Sequence, residues 1–322
     1  MRSARFLPAA ALLVALLLPC RPVIAADPPC LTARIIVPWG AGSGTDLLFR
    51  ALAEAANRAG AKPRLEVVNL SGSDGVRGSQ EALKARPDGC TLLAVHQSLM
   101  TSYIAGEASF NWSDFAPVAR LTRTPAVIAA RVDAGFATLP EMLRAAREPA
   151  GVTAGATRGL GSHFLFLMLQ ERTGTTFKPV FLDGTRERLT ALLAGSVDVA
   201  ELNIASVRRL LGERAIKALA VTGASRAAAL PDVPTLTEQG VDLVFTIDRG
   251  VMLPKKAAPE LVDRYAALFD KALRDPRVAA LLDEHGTAAA FLAPKPYAGY
   301  WQDGFAQWRG LAKAAGIYRQ AD

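Results

Sequence analysis

Cysteine and histidine are scarce: three of each in 322 residues. Three cysteines cannot staple a small disulfide scaffold. The histidines, His96, His163 and His285, lie far apart and form neither an HExxH helix motif nor a close metal-ligand set. No CxxC pair occurs, and no GxSxG elbow surrounds a serine. Aromatic residues are sparse at 7%, and no block of lysine and arginine occurs. Nucleic-acid binding is therefore not indicated. A single long apolar run, FLPAAALLVALLL at 6–18, is too short to span a bilayer, which takes about 20 residues. It follows Arg2 and Arg5 and leads into RPVIAA, so residues 1–26 read as a signal peptide, cut near Ala25 or Ala26. Cys20 offers a lipoprotein alternative, which Pro19 disfavours. Taking Arg2, Arg5 and Arg21 from the 37 basic residues leaves 34 against 30 acidic ones, a mild excess.

What remains is 51% hydrophobic over the whole chain, with 26 glycines and 20 prolines, enough for two α/β domains. RIIVP at 34–38 reads as a buried strand, GAGSGTD as a turn, and the stretch from Asp46 to Ala59 as a helix. Strands follow at 64–69 and 91–95, around a second glycine turn and helix. This series predicts a largely parallel sheet. A second set runs from 126 to 222. Its first helix starts on Thr138 with Glu141 three residues on, a capping box. A returning strand is expected at 249–254, and helical patterns at 259–273, 275–284 and 296–316. The tail has too few strands for a sheet of its own, so it packs back on the first lobe. The expected fold is α/β with two lobes, lobe 1 from 27–125 plus 250–322 and lobe 2 from 126–249, and a cleft between them.

Cys30 and Cys90 each precede a predicted strand. If those strands are parallel neighbours, the two sulfurs meet at one sheet edge and can close in an oxidising compartment. Two reduced, half-buried thiols are the other reading.

Two strand–glycine–helix turns could bind an anion, since glycines and a helix start leave N–H donors free. The first is Trp39 to Asp46, with Gly42, Ser43, Gly44 and Thr45. It lacks the third glycine of a dinucleotide fingerprint and the GK[ST] of a P-loop. The second is Thr157 to His163, with Arg158, Gly161 and Ser162. Each could also be a tight turn without a ligand. Arg158 either reaches a ligand or faces water, and Ser162 is a candidate helix cap. His96 ends a strand at the carboxyl edge, where α/β sheets bind ligands. No acid pair is singled out for catalysis.

RIIVPWGAGSGTDLLFRALAE at 34–54, SGSDGVRGSQEALKARPDGCTLL at 71–93, GLGSHFLFLMLQERTG at 159–174, LLAGSVDVAELN at 192–203 and IKALAVTGASRAAALPDVPTLTEQG at 216–240 together resemble the periplasmic solute-binding receptors of tripartite tricarboxylate transporters, the Bug receptors. The resemblance covers nearly all of the chain after the leader. It implies a type II, Venus-flytrap binding protein with no catalytic residue, cofactor or metal. Such a receptor is monomeric, exported to the periplasm of a Gram-negative bacterium, holds a small carboxylate and delivers it to membrane permease subunits. On this resemblance Gly42 to Asp46 and Gly161 to His163 carry the ligand. Gly184 brings backbone close to it, and Asn203 and Asp198 match later positions, Asp198 as a structural one. The chain departs from the family at Gly40 and Ala41, where prolines are usual, and at Arg158. It departs again at 182–190, where Leu182 replaces a tyrosine, and at Thr246–Arg249, where a tryptophan-containing stretch is usual. If Arg158 reached the ligand, Leu182 beside it would favour an apolar body. An α/β hydrolase or transferase in the same cleft, and a sensor or structural protein on the same fold, are the competing classes.

Overall fold

The glycine-punctuated alternation of apolar runs and amphipathic stretches folds as two α/β lobes. A computed structural model describes residues 28–320; the predicted leader lies outside them. In the first lobe, β1 (Thr32–Val37) leads through the GAGSGTD turn to α1 (Gly44–Arg58), then β2 (Arg64–Asn69), α2 (Val76–Lys84), β3 (Thr91–Val95) and α3 (Ser98–Ile104). β1 pairs in parallel with both β2 and β3. β4 (Phe115–Arg131) then runs 17 residues. The second lobe follows as α4 (Leu139–Ala145), β5 (Val152–Ala156), α5 (Gly161–Thr173), β6 (Phe177–Phe181), α6 (Thr185–Leu193), β7 (Val199–Asn203), α7 (Ile204–Gly212) and β8 (Ile216–Val221). β9 (Thr246–Pro254) returns. The tail is α8 (Pro259–Leu273), α9 (Pro276–Glu284), β10 (Ala288–Leu292) and α10 (Pro294–Ala314).

The path through the sheet is β2-β1-β3-β9-β4-β7-β5-β6, with β8 and β10 also on β4. Only the outer pairings are parallel. The centre is antiparallel: β9 on β3 and β4, and β7 and β8 on β4. The parallel pairing expected of the series at 34–95 is present, and β9 and β4, outside that series, add the antiparallel centre. β4 changes partners midway. Residues Phe115–Pro125 pair with β9, and Ala126–Arg131 with β7 and β8. Thr222, fully buried, ties the two lobe crossings together. Its hydroxyl accepts from the Ala126 N–H at 2.9 Å and donates to the Phe245 carbonyl at 2.6 Å.

Three apolar cores result. Ile35, Phe49 and Leu52 meet Tyr265 and Phe269 between the first sheet and α1, α8 and α9. Val127, Leu192, Val207 and Leu210 fill the space under α6 and α7. The third core joins the lobes. Tyr297 and Trp301 of α10 pack with first-lobe residues, while Trp308 stacks on second-lobe Phe164 with ring centroids 4.7 Å apart. The C-terminal helices therefore pack on the first lobe as expected, but α10 also clasps the second. The capping box on α4 forms: Thr138 Oγ1 accepts from the Glu141 N–H, and the Glu141 carboxylate accepts from the Thr138 N–H.

Cys30 and Cys90 are joined by a disulfide, with Cα atoms 6.0 Å apart. The parallel β1–β3 pairing, Arg34 opposite Thr91, brings them to one edge.

Candidate functional site

In each βα unit the chain leaves the carboxyl end of a strand and enters a helix, so the helix starts gather at one edge of the sheet. Here the starts of α1, α5, α6 and α7 face one cavity of about 600 Å³ between the lobes. That lies within the ~300–1,000 Å³ typical of pockets for organic ligands.

The first lobe contributes Trp39, Gly42, Gly44, Leu47, Leu48, His96, Gln97 and Ser98 to the wall. Gly42 holds φ at +80°, a left-handed conformation that suits glycine. The Trp39 and His96 rings stack with centroids 4.0 Å apart. His96 Nδ1 accepts from the Ser98 N–H at 3.2 Å, which leaves the proton on Nε2. Burial, reinforced by the Arg249 charge, pushes the His96 pKa down to about 3. His96 is thus a neutral donor at physiological pH.

The second lobe contributes Thr157, Leu160, Gly161, Ser162, Gly184, Thr185, Arg188, Glu201, Asn203 and Ala205. Neither α5 nor α6 has a side-chain cap at its start. Their first-turn N–H groups are left for solvent or a ligand. Asn203 caps α7 instead, its Oδ1 accepting from the Ser206 N–H at 2.8 Å. Ser162 Oγ accepts from the Thr157 N–H at 2.9 Å, which folds the 157–162 turn over the helix start.

Five residues expected at the site from sequence stand off the wall. Ser43 caps α1, accepting from the Asp46 N–H at 3.3 Å. Asp46 is buried and holds the turn together: it accepts from the Gly42 N–H at 2.8 Å and the Asn69 amide at 2.8 Å, and pairs with Arg50 at 3.0 Å. Burial disfavours its charged form, but these partners outweigh burial and hold its pKa below the ordinary carboxylate value. Thr45 lies behind Arg249 and accepts from its Nε at 3.1 Å. Arg158 is exposed and sits over the Phe181 ring, 3.7 Å from its centroid, so its cation is spent on an aromatic face. His163 is buried with its ring edge on Phe181 at 5.0 Å and its Nδ1 accepting from the Gly159 N–H. Burial, with Arg158 nearby, lowers its pKa. Leu182 faces the core beside Gly155 and is also off the wall. Asp198 is structural in this geometry, accepting from both the N–H and the hydroxyl of Thr153 at 2.9 and 2.7 Å.

The structure also brings in residues that sequence reasoning missed. Arg188 and Glu201, both buried, pair at 2.5 Å, and Arg188 further donates to Thr157 Oγ1 at 2.7 Å and Thr185 Oγ1 at 3.1 Å. The network fastens the starts of two helices to β7. Arg249 projects from β9, and Thr124 from β4. Phe245, Ile247 and the tail residues Leu281, Leu282 and Trp308 form the apolar side, and the polar tail residues His285 and Thr287 complete the wall. Arg249 stood inside the departing Thr246–Arg249 stretch, the one signal that could have flagged it. The tail residues carry no local signal at all. Among the described residues no group of three or more His, Cys, Asp or Glu side chains could hold a metal ion.

Comparison with known proteins agrees with this geometry. A TctC solute-binding protein from Polaromonas, solved without ligand, superposes with a TM-score of 0.76 at 28% identity, covering 88% of this chain and 98% of that one. MatC from Rhodopseudomonas palustris, solved with bound malate, superposes with a TM-score of 0.68 at 25% identity, covering 87% and 98%. Protein BugT of Bordetella pertussis is 28% identical over 308 residues, 92% of each chain. The family described as the tripartite tricarboxylate transporter family receptor matches residues 48–317. The chain belongs to that receptor family.

Proposed function

We propose that this protein is an exported receptor that captures a small carboxylate between its lobes and presents it to the permease subunits of a tripartite tricarboxylate transporter. The lobes divide in β4 after Pro125 and just before β9, at Phe245, and the receptor acts as a monomer in the periplasm after loss of residues 1–26. One observation carries the reading: helix starts from both lobes, two of them uncapped, face one cavity that also holds a guanidinium. Oriented N–H groups and a fixed cation stabilise an anion without side-chain ordering. Gly42, Gly44, Gly161, Ser162 and Gly184 supply backbone close to the ligand. His96, Thr157 and Asn203 supply side-chain polarity, and Trp39 supplies a ring face. The malate held by the family relative MatC supports the ligand class. The wall offers binding groups on both sides of a ligand, and the protein acts as a receptor rather than an enzyme. Thermal-shift measurement against a panel of carboxylic acids tests this. A stabilising shift with at least one acid is expected. No shift with any acid, together with hydrolysis of an ester or phosphate, overturns the receptor reading.

A further inference from the structure

Arg249 is the only charged group on the cavity wall, among the described residues, without a carboxylate partner. Arg188, the other wall arginine, is neutralised by Glu201 at 2.5 Å. The acid beside Arg249 in sequence is unavailable to it by strand geometry, since neighbouring side chains on a strand point to opposite faces. Asp248 points away from the cavity and is occupied by Arg123 at 3.1 Å, Arg120 at 3.5 Å and the Thr246 hydroxyl at 2.5 Å.

The Arg249 guanidinium is held firmly on two sides only. Its Nε donates to Thr45 Oγ1 at 3.1 Å, and its Nη1 to Thr124 Oγ1 at 2.6 Å. Thr124 is itself steadied by Thr287, hydroxyl to hydroxyl at 2.9 Å. Nη2 has no hydrogen-bond partner among the described residues. It lies against Gly44, where a Cβ would stand 3.2 Å away, so glycine leaves the space in front of it clear. Burial lowers the Arg249 pKa to about 10, against the opposing effect of Asp248, which still leaves it charged at neutral pH. A half-buried cation with no carboxylate in contact gains a charge-assisted hydrogen bond when an anion binds.

Beyond the threonines that hold it, this cation shares the cavity wall with apolar side chains. Ile247 lies two residues before Arg249, on the same strand face, and Phe245 two before that, with Trp308 and Leu281 from the tail completing the wall.

Resting on the receptor reading above, we propose that Arg249 pairs directly with the ligand's carboxylate, through the Nη2 beside Gly44, and that it selects acids whose body is apolar. Glu201, being paired, attracts no ligand amine, so amino acids are disfavoured.

The test is calorimetry on the leaderless protein with phenylacetate, isovalerate, malate and citrate, and with phenylacetamide and isovaleramide. Phenylacetate or isovalerate should bind more tightly than malate and citrate. Its amide, equal in shape but uncharged, should bind roughly ten- to a hundredfold more weakly. In Arg249→Gln this preference for acid over amide should vanish, and Arg249→Lys should restore part of it. A purely structural role for Arg249 would weaken acid and amide alike. The proposal is overturned if the wild-type protein binds amide and acid equally, if Arg249→Gln keeps the wild-type preference, or if malate or citrate binds more tightly than both apolar acids. Should Arg249→Gln fail to fold, Arg249→Lys decides by the same comparison: its preference for acid over amide should fall below that of the wild-type protein, and an unchanged preference overturns the proposal. If no acid of any kind binds the wild-type protein, the receptor reading itself has failed, an outcome distinct from all of these.

Discussion

The two glycine turns that flank the cavity look alike in sequence and solve different problems. The first-lobe turn is closed on itself. Ser43 caps α1, and Asp46 reaches back to the Gly42 N–H, so the turn's own side chains use up donors. Positive charge on that side comes from outside the turn, from Arg249. The second-lobe turn is open. α5 begins at Leu160 with no side-chain cap, and the nearest wall cation, Arg188, is cancelled by Glu201. One lobe thus offers an anion a fixed side-chain charge, and the other offers exposed helix amides. A helix end is worth about 0.3–1 kcal/mol to a nearby charge, less than a charge-assisted hydrogen bond of about 1.5–3 kcal/mol. The first lobe should therefore dominate affinity, and the second should set orientation.

The largest disturbance of this division comes from freeing the second-lobe cation. Glu201→Gln leaves buried Arg188 without its counter-ion, and should destabilise the protein by about 3–5 kcal/mol in urea denaturation. The same variant should bind carboxylates more tightly once folded, because both lobes would then present a free guanidinium; calorimetry that finds weaker binding contradicts the division.

A smaller change makes the second turn resemble the first. Leu160 has the extended backbone of a helix cap, with φ −109° and ψ −180°. Leu160→Ser should donate a cap to α5 and add about 1 kcal/mol of stability. It should also weaken ligand binding, because the new hydroxyl competes for the same N–H groups. Stability and affinity moving together would mean that those amides do not meet the ligand.

Acid sharpens the contrast from the first-lobe side. Unfolded His96 takes a proton below its ordinary value of 6.5, while in the folded state its pKa is about 3. The unfolded state therefore binds more protons, and stability is lost as pH falls through this window. His163 acts in the same direction. His96→Gln should make the melting temperature fall less between pH 7 and about pH 5 than in the wild-type protein; an unchanged slope would show that His96 titrates normally.

The smallest effect is expected at Arg158. Its cation lies over Phe181 and not on the wall, so Arg158→Ala should leave carboxylate affinity unchanged and cost about 0.5–1 kcal/mol of stability. A tenfold loss of affinity by calorimetry would return Arg158 to the site.

Both glycine turns were legible because their signals are local: an apolar run, closely spaced glycines and a helical stretch, all within about 25 residues. The second-lobe strands and α4 were legible for the same reason. β4 was not. Residues 115–125, FAPVARLTRTP, hold two prolines, and the second set was expected to begin only at 126. The fold accommodates both prolines, since the ladder shifts register between Pro117 and Ala119, and Pro125 lies where β4 changes partners. The cation was misplaced for a related reason. Arg158 sits in the right turn by sequence, but the side chain that reaches the cavity comes from a strand 91 positions further on. Leu281, Thr287 and Trp308 arrive from a tail whose helical periodicity says which face is apolar and nothing about which lobe that face will meet.

The unbroken run of β4 through both lobes has a mechanical consequence. A joint made of loops has slack: its parts can drift before any force is passed on. A joint made of one continuous ribbon has none, and here Pro125 removes a backbone torsion at the very place where the ribbon changes partners. Thr222 welds the second crossing to the first, so the pair bends as a single leaf. On such a joint, a shift at the floor of the cavity would appear as tilt of the outer surfaces. A membrane partner reading those surfaces would be reading an angle, geared up from a shift of a few atoms.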